Sequence, residues 1–260
     1  MNSLDRALAV LELLEQTPGG LRNAEISRQL NIATSSCSSI ASKLERKGYL
    51  RREEETRRYR IGLKTVALAH GALREIGFRS MAEPVLYRLA SATGLSAGIG
   101  MLQQGHVLLV DRVESPEFIK EAVHRLPKGR TRDQRDIGRE LPAYTTALGK
   151  VLLASLPPAE LAEFFHDRVL TRSTPKTIAS KARLIAALDT IRKQGYATAD
   201  EEEYLGLRAL GVPILDGAGS VRAALSLNGN LQEPAWRNER SLVRLMQEAA
   251  HGISKRSRLV

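Results

Sequence analysis

Five serines lie between residues 34 and 47, at positions 35, 36, 38, 39 and 42. The apolar residues of this segment, Cys37, Ile40, Ala41 and Leu44, recur at helical spacing and leave most of the serines on the opposite face. Serine is a mediocre helix former, so helix propensity does not explain the run. Its hydroxyl reaches a phosphate or a base edge without bulk, and a helix about 12 Å wide fits the major groove. The segment is therefore predicted to be a helix that reads duplex DNA.

Arginines are concentrated on both sides of the polar run 53–56, which follows this helix. The pattern predicts a β-hairpin with strands over 49–52 and 57–61, whose arms clamp the phosphate backbone beside the groove. With two arginines at the starts of earlier helices, the predicted DNA-binding residues are Arg6, Arg22, Thr34, Ser35, Ser36, Ser38, Ser39, Lys43, Arg51, Arg52, Arg57, Arg58 and Arg60. Residues 1–62 hold 11 basic and 8 acidic residues, so the arrangement of charge, and not its sum, indicates the surface.

Two further helices are predicted before the serine-rich one. Four leucines between residues 4 and 14 follow a helical period, with Ser3 as the N-cap, and the helix breaks at 18–20. Asn23 is predicted to cap the second helix, whose inner face carries Ile26 and Leu30. Residues 63–77 have apolar side chains at a spacing that suits packing against another helix, which predicts a linker helix and a seam for a second copy of the chain.

A second domain is predicted to begin near residue 78. Helices are predicted over 81–93, 146–156, 159–165 and 181–193, and strands over 96–101, 107–113, 118–126, 209–215 and 221–228. The last two strands flank a strong turn signal at 216–219. A terminal helix is predicted to place Leu242, Leu245, Met246, Ala249 and Ile253 on one side. The predicted fold class is α+β.

The composition of the 260 residues limits the class of protein. Lys and Arg number 39 against 29 Asp and Glu, a formal charge of +10 that favours a polyanionic partner, either nucleic acid or an anionic membrane surface. Cys37 is the single cysteine, which excludes an intrachain disulfide framework and favours the cytoplasm. Charges interrupt the apolar N-terminus and no run of about 18 apolar residues occurs, so neither a signal peptide nor a membrane span is predicted.

Enzyme signatures are incomplete in this sequence. Gly98-Ile99-Gly100 lacks the third glycine of a dinucleotide-binding loop, and Gly149-Lys150 is followed by Val151 where a phosphate-binding loop has a hydroxyl residue. The five histidines have no metal-ligand spacing, and Cys37 belongs to the inner face of the serine-rich helix. The acidic run 200–203 has the charge to bind a cation, but such runs are usually solvated. We predict no catalysis, no cofactor and no metal.

Two sets of short motifs, one in each half of the chain, indicate a relationship to known proteins. In the N-terminal part they are Arg6-Ala7-Leu8, Leu11-Glu12, Glu25-Ile26, Leu44 with Gly48-Tyr49-Leu50, and Tyr59-Arg60-Ile61-Gly62. In the C-terminal part they are the segment from Leu141 to Lys150, Gly195-Tyr196, Glu202, Ala209, and Pro213 through Asp216. By these motifs nearly the whole chain resembles the IclR family of bacterial transcriptional regulators. The resemblance implies a winged helix-turn-helix over 1–62, a linker helix over 63–77 and a GAF-like effector-binding domain with an antiparallel sheet over 78–260, in homodimers or homotetramers on a double-stranded DNA operator.

The resemblance also implies an effector pocket. The family's pocket positions, transferred one by one, fall at Tyr144, Ala147, Leu148, Ala199, Ala209, Ser226 and Asn228. Relatives that bind very small keto acids resemble one another in having an acidic residue at the position of Ala199 and a cysteine at that of Ala209. Without these two polar side chains the pocket is larger or more apolar. The resemblance therefore implies a small organic acid as effector, aromatic or aliphatic.

A second interpretation stays open at this stage, that of a sensor or adaptor protein without specific DNA binding. The segment 120–139, with 7 basic and 3 acidic residues, has the charge to contact RNA, a membrane or another protein, although it also fits a solvated loop. In the regulator interpretation, effector binding shifts the population of dimer arrangements and so the spacing of the two serine-rich helices.

Overall fold

The computed structural model describes residues 2–115 and 137–256, and the chain divides into two compact units, Met1–Ile76 and Gly77–Val260. The strand predicted over 118–126 and most of the basic segment 120–139 lie outside the described residues. Among the helices that the structure describes, none is long and apolar enough to cross a lipid bilayer.

The described part of the N-terminal unit contains α1 (Ser3–Glu15), α2 (Asn23–Leu30), α3 (Thr34–Arg46), β1 (Leu50–Arg52), β2 (Tyr59–Ile61) and α4 (Lys64–Glu75). The two strands form an antiparallel hairpin, and a single bridge joins Leu21 to Tyr59 beside it. The first three helices and the hairpin enclose one core, formed by Val10, Leu14, Leu21, Ile26, Cys37, Ala41, Leu50 and Tyr59. This arrangement confirms the predicted winged helix-turn-helix.

The predicted cap of α1 is wrong. The N-cap is Asn2 and not Ser3, which is the first helical residue. The Asn2 side chain accepts the backbone N–H of Asp5 at 2.9 Å, and the Asp5 carboxylate accepts the backbone N–H of Asn2 at 3.0 Å. This reciprocal capping box satisfies two N–H groups that a helix start would otherwise leave without a partner.

The predicted cap of α2 is also wrong. The residue before α2 is Arg22, and its backbone N–H is accepted by the Glu25 carboxylate at 2.7 Å. Asn23, the predicted cap, is the first helical residue, and its Nδ2 donates to the backbone carbonyl of Thr34 at 3.1 Å. The side chain that was expected to close α2 therefore ties the start of α2 to the start of α3.

The C-terminal unit is built on a six-stranded antiparallel sheet in the order β5-β4-β3-β8-β7-β6. Its described strands are β3 (Ser96–Gln103), β4 (His106–Val113), β5 (Glu140–Pro142), β6 (Ala197–Asp200), β7 (Leu207–Leu215) and β8 (Val221–Asn230). Its described helices are α5 (Arg79–Thr93), α6 (Ala147–Ala154), α7 (Pro158–Phe164), α8 (Lys181–Gln194) and α9 (Glu239–Arg256). α6 packs on one face of the sheet, which we call the α6 face, while α5 and α9 pack on the other. The unit confirms the predicted α+β class.

Several details of the C-terminal unit differ from the prediction. The strands β5 and β6 were not predicted, because edge strands of three or four residues carry too little alternation to be recognised. The terminal helix α9 buries Leu242, Val243, Met246, Ala250 and Ile253. Leu245 and Ala249 were predicted on the inner side, but Leu245 is 37% exposed and Ala249 is only half-buried. The true apolar stripe of α9 is therefore rotated from the predicted one.

Candidate nucleic-acid interface and ligand pocket

A polar strip runs along the solvent side of α3. Its exposed residues are Thr34, Ser35, Ser38, Ser39, Ser42 and Lys43, whereas Ser36 is half-buried. The residue before the helix is Ala33, whose side chain makes no capping hydrogen bond. A helix start without a side-chain cap attracts anions, because its N–H groups and the helix dipole both favour negative charge. The helix start therefore suits a DNA phosphate, and the polar strip suits the major groove.

Thr34 has a structural role at the start of α3. The Ser27 hydroxyl donates to the backbone carbonyl of Ile32 at 2.6 Å, and its oxygen lies 3.1 Å from Thr34 Oγ1. Because Ser27 has a single hydroxyl proton, Thr34 must be the donor in the second contact. The Thr34 proton is therefore engaged in the turn between α2 and α3, and Thr34 has only acceptor capacity left for a ligand.

Arg6 lies in α1 and contacts the flank of α3. Its Nη1 donates to Ser36 Oγ at 3.3 Å. Because a guanidinium only donates, Ser36 Oγ accepts in this contact and its own proton stays available for another acceptor. The Nε of Arg6 is buried and has no hydrogen-bond partner in the described part of the chain. Arg6 thus contributes to the candidate interface by contacting Ser36.

The five hairpin arginines form two groups. Arg58 pairs with Glu25 at 3.2 Å and Arg60 pairs with Glu53 at 3.5 Å. Both also donate to backbone carbonyls of the connection between α1 and α2, at 2.6 and 3.3 Å respectively. The other three, Arg51, Arg52 and Arg57, are exposed. The first group holds the hairpin on the helices, and the second presents its charge to solvent.

Two more contacts position cations around the hairpin. Arg22 is exposed and its Nε donates to the backbone carbonyl of Thr56 at 3.1 Å. The Arg52 guanidinium lies 5.4 Å from the centroid of the Tyr59 ring, within the range of a cation–π contact. Since a guanidinium has five N–H donors, each of these arginines keeps donors for a phosphate.

The carboxylates that hold the hairpin have lowered pKa values. The hydrogen bond from the Thr56 hydroxyl, at 2.5 Å, is the main cause that lowers the pKa of Glu53, and the Arg60 charge adds to it. The pKa of Glu25 is lowered mainly by the backbone N–H that it accepts from Arg22. Both carboxylates therefore keep their charge, and their grip on the hairpin, at neutral pH.

The strand register brings the polar and small predicted pocket residues together. Ala199 on β6 pairs with Ala209 on β7, Ala209 pairs with Asn228 on β8, and Asn228 pairs with Ser96 on β3. Opposed residues of antiparallel strands share a face, and Ser226 joins them because it is two residues from Asn228. Sequence positions separated by up to 132 residues thus form one row across four strands.

Two sheet glycines show that this row belongs to the α6 face. A Cβ added to Gly211, which pairs with Ser226, would lie 2.8 Å from the backbone oxygen of Ala147. A Cβ added to Gly100 would lie 3.2 Å from Leu148 Cδ1. Ala147 and Leu148, at the start of α6, therefore rest directly on the sheet beside the row.

The segment that leads into α6 is tightly built. Tyr144 is buried and donates its hydroxyl to the backbone carbonyl of Thr171 at 2.9 Å, so this proton is engaged within the protein. Thr146 caps α6 by accepting the backbone N–H of Gly149 at 3.0 Å. A Cβ on Gly149 would lie 2.1 Å from the backbone oxygen of Ala143, so only glycine fits there. Packing against Ala143 therefore accounts for the glycine at position 149.

Sequence reasoning missed a polar cluster beside Asn228. Arg112 on β4 pairs with Gly98 on β3, and its side chain extends to β8, where Nη2 donates to Asn228 Oδ1 at 3.0 Å. Arg112 also donates to both carboxylate oxygens of Glu114, at 2.6 and 3.2 Å, and Ser96 donates to Glu114 at 2.7 Å. The two-residue spacing of Arg112 and Glu114 indicates a shared strand face, but only the strand order brings them to Asn228.

The acidic run 200–203 is not simply solvated, so that interpretation was wrong. Lys150 on α6 is buried and donates to Glu202 Oε1 at 2.5 Å and to the carbonyl of Thr198 at 2.5 Å. Burial raises the pKa of Glu202, although Lys150 opposes this, and Glu202 Oε2 has no hydrogen-bond partner among the described residues. Burial also raises the pKa of Glu203, against the charges of two arginines. The run thus provides a buried ion pair between α6 and the end of β6.

Two shallow grooves lie away from the α6 face. They are lined by residues of α5, by the 3-10 turn Pro234–Asn238 and by α9. Neither is lined by a residue predicted to bind the effector. Within residues 2–115 and 137–256, no group of three His, Cys, Asp or Glu side chains is arranged to hold a metal ion.

Comparison with known proteins identifies the family. The model of the bacterial transcriptional regulator IclR C-terminal domain matches residues 70–255, and that of the IclR helix-turn-helix domain matches residues 3–54. The chain belongs to the IclR family. It is a transcriptional regulator of the IclR type, with an N-terminal DNA-binding domain and a C-terminal effector-binding domain, and its relatives are regulators and not enzymes.

Individual relatives agree with the IclR assignment over most of the chain. The HTH-type transcriptional regulator XynR of Escherichia coli (strain K12) is 33% identical over 228 residues, which cover 88% of this chain and 86% of XynR. The crystal structure of the Thermotoga maritima IclR has a TM-score of 0.72 and 28% identity, and covers 99% of both chains. A double mutant of the PobR inducer-binding domain from Acinetobacter, in complex with 3-hydroxybenzoic acid, has a TM-score of 0.58 and 27% identity over 68% of this chain and 98% of that one.

Proposed function

We propose that this IclR-type regulator contacts its operator through the polar strip of α3 and the exposed hairpin arginines, and that a small organic acid bound on the α6 face changes its affinity for DNA. In this proposal Ser35, Ser36, Ser38, Ser39 and Lys43 contact the major groove, while Arg22, Arg51, Arg52 and Arg57 contact phosphates. Arg6, Thr34, Arg58 and Arg60 hold these groups in position.

The observation that carries the DNA proposal is the division of the basic side chains. Arg58 and Arg60 are bound to carboxylates and to the connection before α2, whereas Arg51, Arg52 and Arg57 are exposed on the same hairpin. A structural hairpin needs only the first pair. Exposed arginines beside an exposed serine-rich helix supply both the phosphate contacts and the base-edge hydroxyls that a DNA reader requires.

The effector proposal concerns the row formed by Ala199, Ala209, Ser226 and Asn228, next to Tyr144, Ala147 and Leu148. Small apolar side chains at the first two positions leave room for a ring, and Asn228 supplies a polar group. The double mutant of the PobR inducer-binding domain, which is 27% identical to this chain, was solved with 3-hydroxybenzoic acid. A small aromatic acid is therefore the effector class that we favour.

The proposal also covers the domain boundaries and the oligomeric state. The DNA-binding domain is residues 1–62, the linker helix is 63–77 and the effector domain is 78–260. Helix α4 has no buried residue, and Leu63 beside it is 84% exposed. A second copy of the chain would cover such apolar surface, which supports a homodimer or a homotetramer. We propose the cytoplasm as its location, as expected of a DNA-binding regulator.

DNase I footprinting of the intergenic region beside the protein's own gene tests the function. We expect a protected site, whose affinity falls steeply between 50 and 200 mM salt because about six or more phosphates are neutralised. Addition of aromatic acids such as 3-hydroxybenzoate should change this affinity. A variant with Lys43, Arg51 and Arg57 all replaced by alanine should lose the footprint and stay folded.

The matched control replaces Arg183, Lys193 and Arg240 of the C-terminal unit by alanine, which removes the same charge elsewhere. If this control loses the footprint as fully as the first variant, gross charge and not the α3–hairpin surface binds DNA. If no acid changes operator affinity, the coupling to an effector is wrong.

A further inference from the structure

Asn228 has two different ends, and the structure assigns their orientation. An asparagine amide has an oxygen that accepts and a nitrogen that donates, and rotation by 180° exchanges them. Here Arg112 Nη2 lies 3.0 Å from the amide oxygen. A guanidinium has donors only, so it cannot face the amide nitrogen. The Asn228 Nδ2 therefore points away from Arg112, and it makes no hydrogen bond with the described residues.

Arg112 itself is held in place by several contacts. Its Nε and Nη2 both donate to Glu114, whose side chain is only 6% exposed, and Glu114 also accepts the hydroxyl of Ser96. A two-pronged contact of this kind fixes the plane of the guanidinium as well as its position. The side chain reaches β8 across β3, where Gly98 has no side chain in its path.

We propose that Arg112, held by Glu114, is a positioning residue that locks Asn228 as a hydrogen-bond donor, so that the pocket selects a ligand with a carboxylate at this point. The inference rests on the proposed effector site and adds its specificity. Asn228 lies in the same row as Ala199, Ala209 and Ser226, so a carboxylate bound beside this row would accept its N–H group. A hydrogen bond to a charged acceptor is about twice as strong as one between neutral groups.

The experiment compares two probes of equal shape, 4-hydroxybenzoate and 4-hydroxybenzamide, by calorimetric titration of the full-length protein. The carboxylate only accepts, whereas the amide carries an NH₂ group that meets the Asn228 donor unfavourably in one of its two orientations. We expect wild-type protein to bind the acid at least about tenfold more tightly than the amide. The ratio of the two dissociation constants is the readout, because a merely structural defect weakens both.

Two variants test the orientation. Asn228→Asp keeps the oxygen that faces Arg112 and replaces the donor by an acceptor, so the ratio should reverse in favour of the amide. Arg112→Gln replaces the donor-only guanidinium by an amide that can donate or accept, so it no longer fixes the orientation of Asn228, and the ratio should fall to within about threefold of one. Arg208→Gln is the matched control, since Arg208 on β7 is likewise an arginine held by carboxylates, Asp200 and Glu239, at 2.8 and 2.5 Å. It should keep the wild-type ratio.

Each result decides between the two proposals. If wild-type protein binds neither probe nor benzoate and pyruvate, the acid effector fails and the inference fails with it. If it binds the acid but Asn228→Asp and Arg112→Gln keep the wild-type ratio, the effector proposal stands and the role of Arg112 is overturned. Circular dichroism verifies folding, and Asn228→Asp, which replaces the NH₂ group by an oxygen of nearly the same size, carries the test if Arg112→Gln does not fold.

Discussion

Helices α3 and α6 use the same local structure for opposite purposes. All eight residues of α6 are buried, and a threonine caps its first turn. Only two of the thirteen residues of α3 are buried, and the alanine before it supplies no cap. In α6 the sequence is constrained on every side by neighbouring protein, whereas in α3 it is constrained on one side only. The difference shows which helix leaves a face open to a partner and which one is enclosed by the rest of the protein.

Charges follow the same division. In the N-terminal unit, exposed arginines remain beside a pair that holds the hairpin. In the C-terminal unit, Lys150 and Glu202 are buried against each other, with side chains 4% and 10% exposed. Removing an exposed charge changes the free energy of unfolding little, whereas removing one member of a buried ion pair leaves the other charge buried without a partner. Substitutions in the two regions should therefore differ in size and in kind.

The largest effect is expected from Glu202→Gln. This change leaves the buried Lys150 ammonium without its counter-charge, which should lower the free energy of unfolding by about 3–5 kcal/mol. Urea denaturation followed by the fluorescence of Trp236, the single tryptophan, measures it in the C-terminal unit. The double variant Lys150→Met with Glu202→Leu should be close to wild type. Asp189→Ala, which breaks an exposed pair with Arg192, should cost less than about 1 kcal/mol.

A glycine in each region should respond with the opposite sign to replacement by alanine. Gly149→Ala would place the new Cβ 2.1 Å from the backbone oxygen of Ala143. The backbone must move to relieve this clash, so stability should fall by about 1–3 kcal/mol or more. Gly71→Ala in α4 meets no atom within 4 Å and should stabilise that helix by about 0.5–1 kcal/mol. Equal effects at the two positions, measured by thermal unfolding, would contradict the contrast between buried and exposed helices.

Adjacent hairpin arginines should separate binding from stability. Arg57→Ala should reduce the slope of log affinity against log salt by about 0.9, because one phosphate contact is lost, with stability nearly unchanged. Arg58→Ala removes contacts with Glu25 and Gly20, so stability should fall by about 1–2 kcal/mol while the slope changes less. Operator titrations at several salt concentrations, with urea unfolding in parallel, measure both quantities. If the two variants change affinity and stability alike, the distinction between arginines that hold the hairpin and arginines that contact DNA is wrong.

The smallest effect concerns acid pH and the N-terminal unit. The folded-state pKa of Glu53 is lowered from 4.5, mainly by the Thr56 hydroxyl. Its stabilising contribution is therefore complete above the ordinary value and is lost as pH falls through the lowered value. NMR signals of β1 and β2, followed in urea from pH 7 to pH 3, should show this loss. Glu53→Gln should be less stable at neutral pH and should show a shallower dependence, and an unchanged pH profile would contradict the assignment.

Local patterns predicted the N-terminal unit well where only near neighbours decide the structure. The inner positions of α3, such as Cys37 and Ala41, follow from helical spacing. The roles of the hairpin arginines do not, because the carbonyl that binds Arg58 belongs to Gly20, 38 residues earlier. The predicted caps of α1 and α2 were each one residue too late, although the deciding contacts are local: Asp5 accepts the backbone N–H of Asn2, and Glu25 accepts that of Arg22.

The candidate pocket shows the limit more clearly. The family resemblance indicated Asn228, and its place beside Ala209 follows from one strand pairing. Arg112 was not found, because its contact with Asn228 spans 116 residues and crosses a strand of the sheet. Lys150 and Glu202 were missed as a pair because burial, which no charge pattern reports, determines that they meet.

The alanine at position 33 has a consequence for the kinetics of the free protein. Without a side chain to hold them, amide hydrogens in the opening turn of α3 should exchange with solvent quickly until DNA arrives. A phosphate oxygen seated there would supply the missing acceptor and slow that exchange. In this case the DNA supplies the cap that the first turn of α3 lacks. Deuterium uptake at residues 34–36, measured with and without operator DNA, would then report whether the helix start is docked on a phosphate.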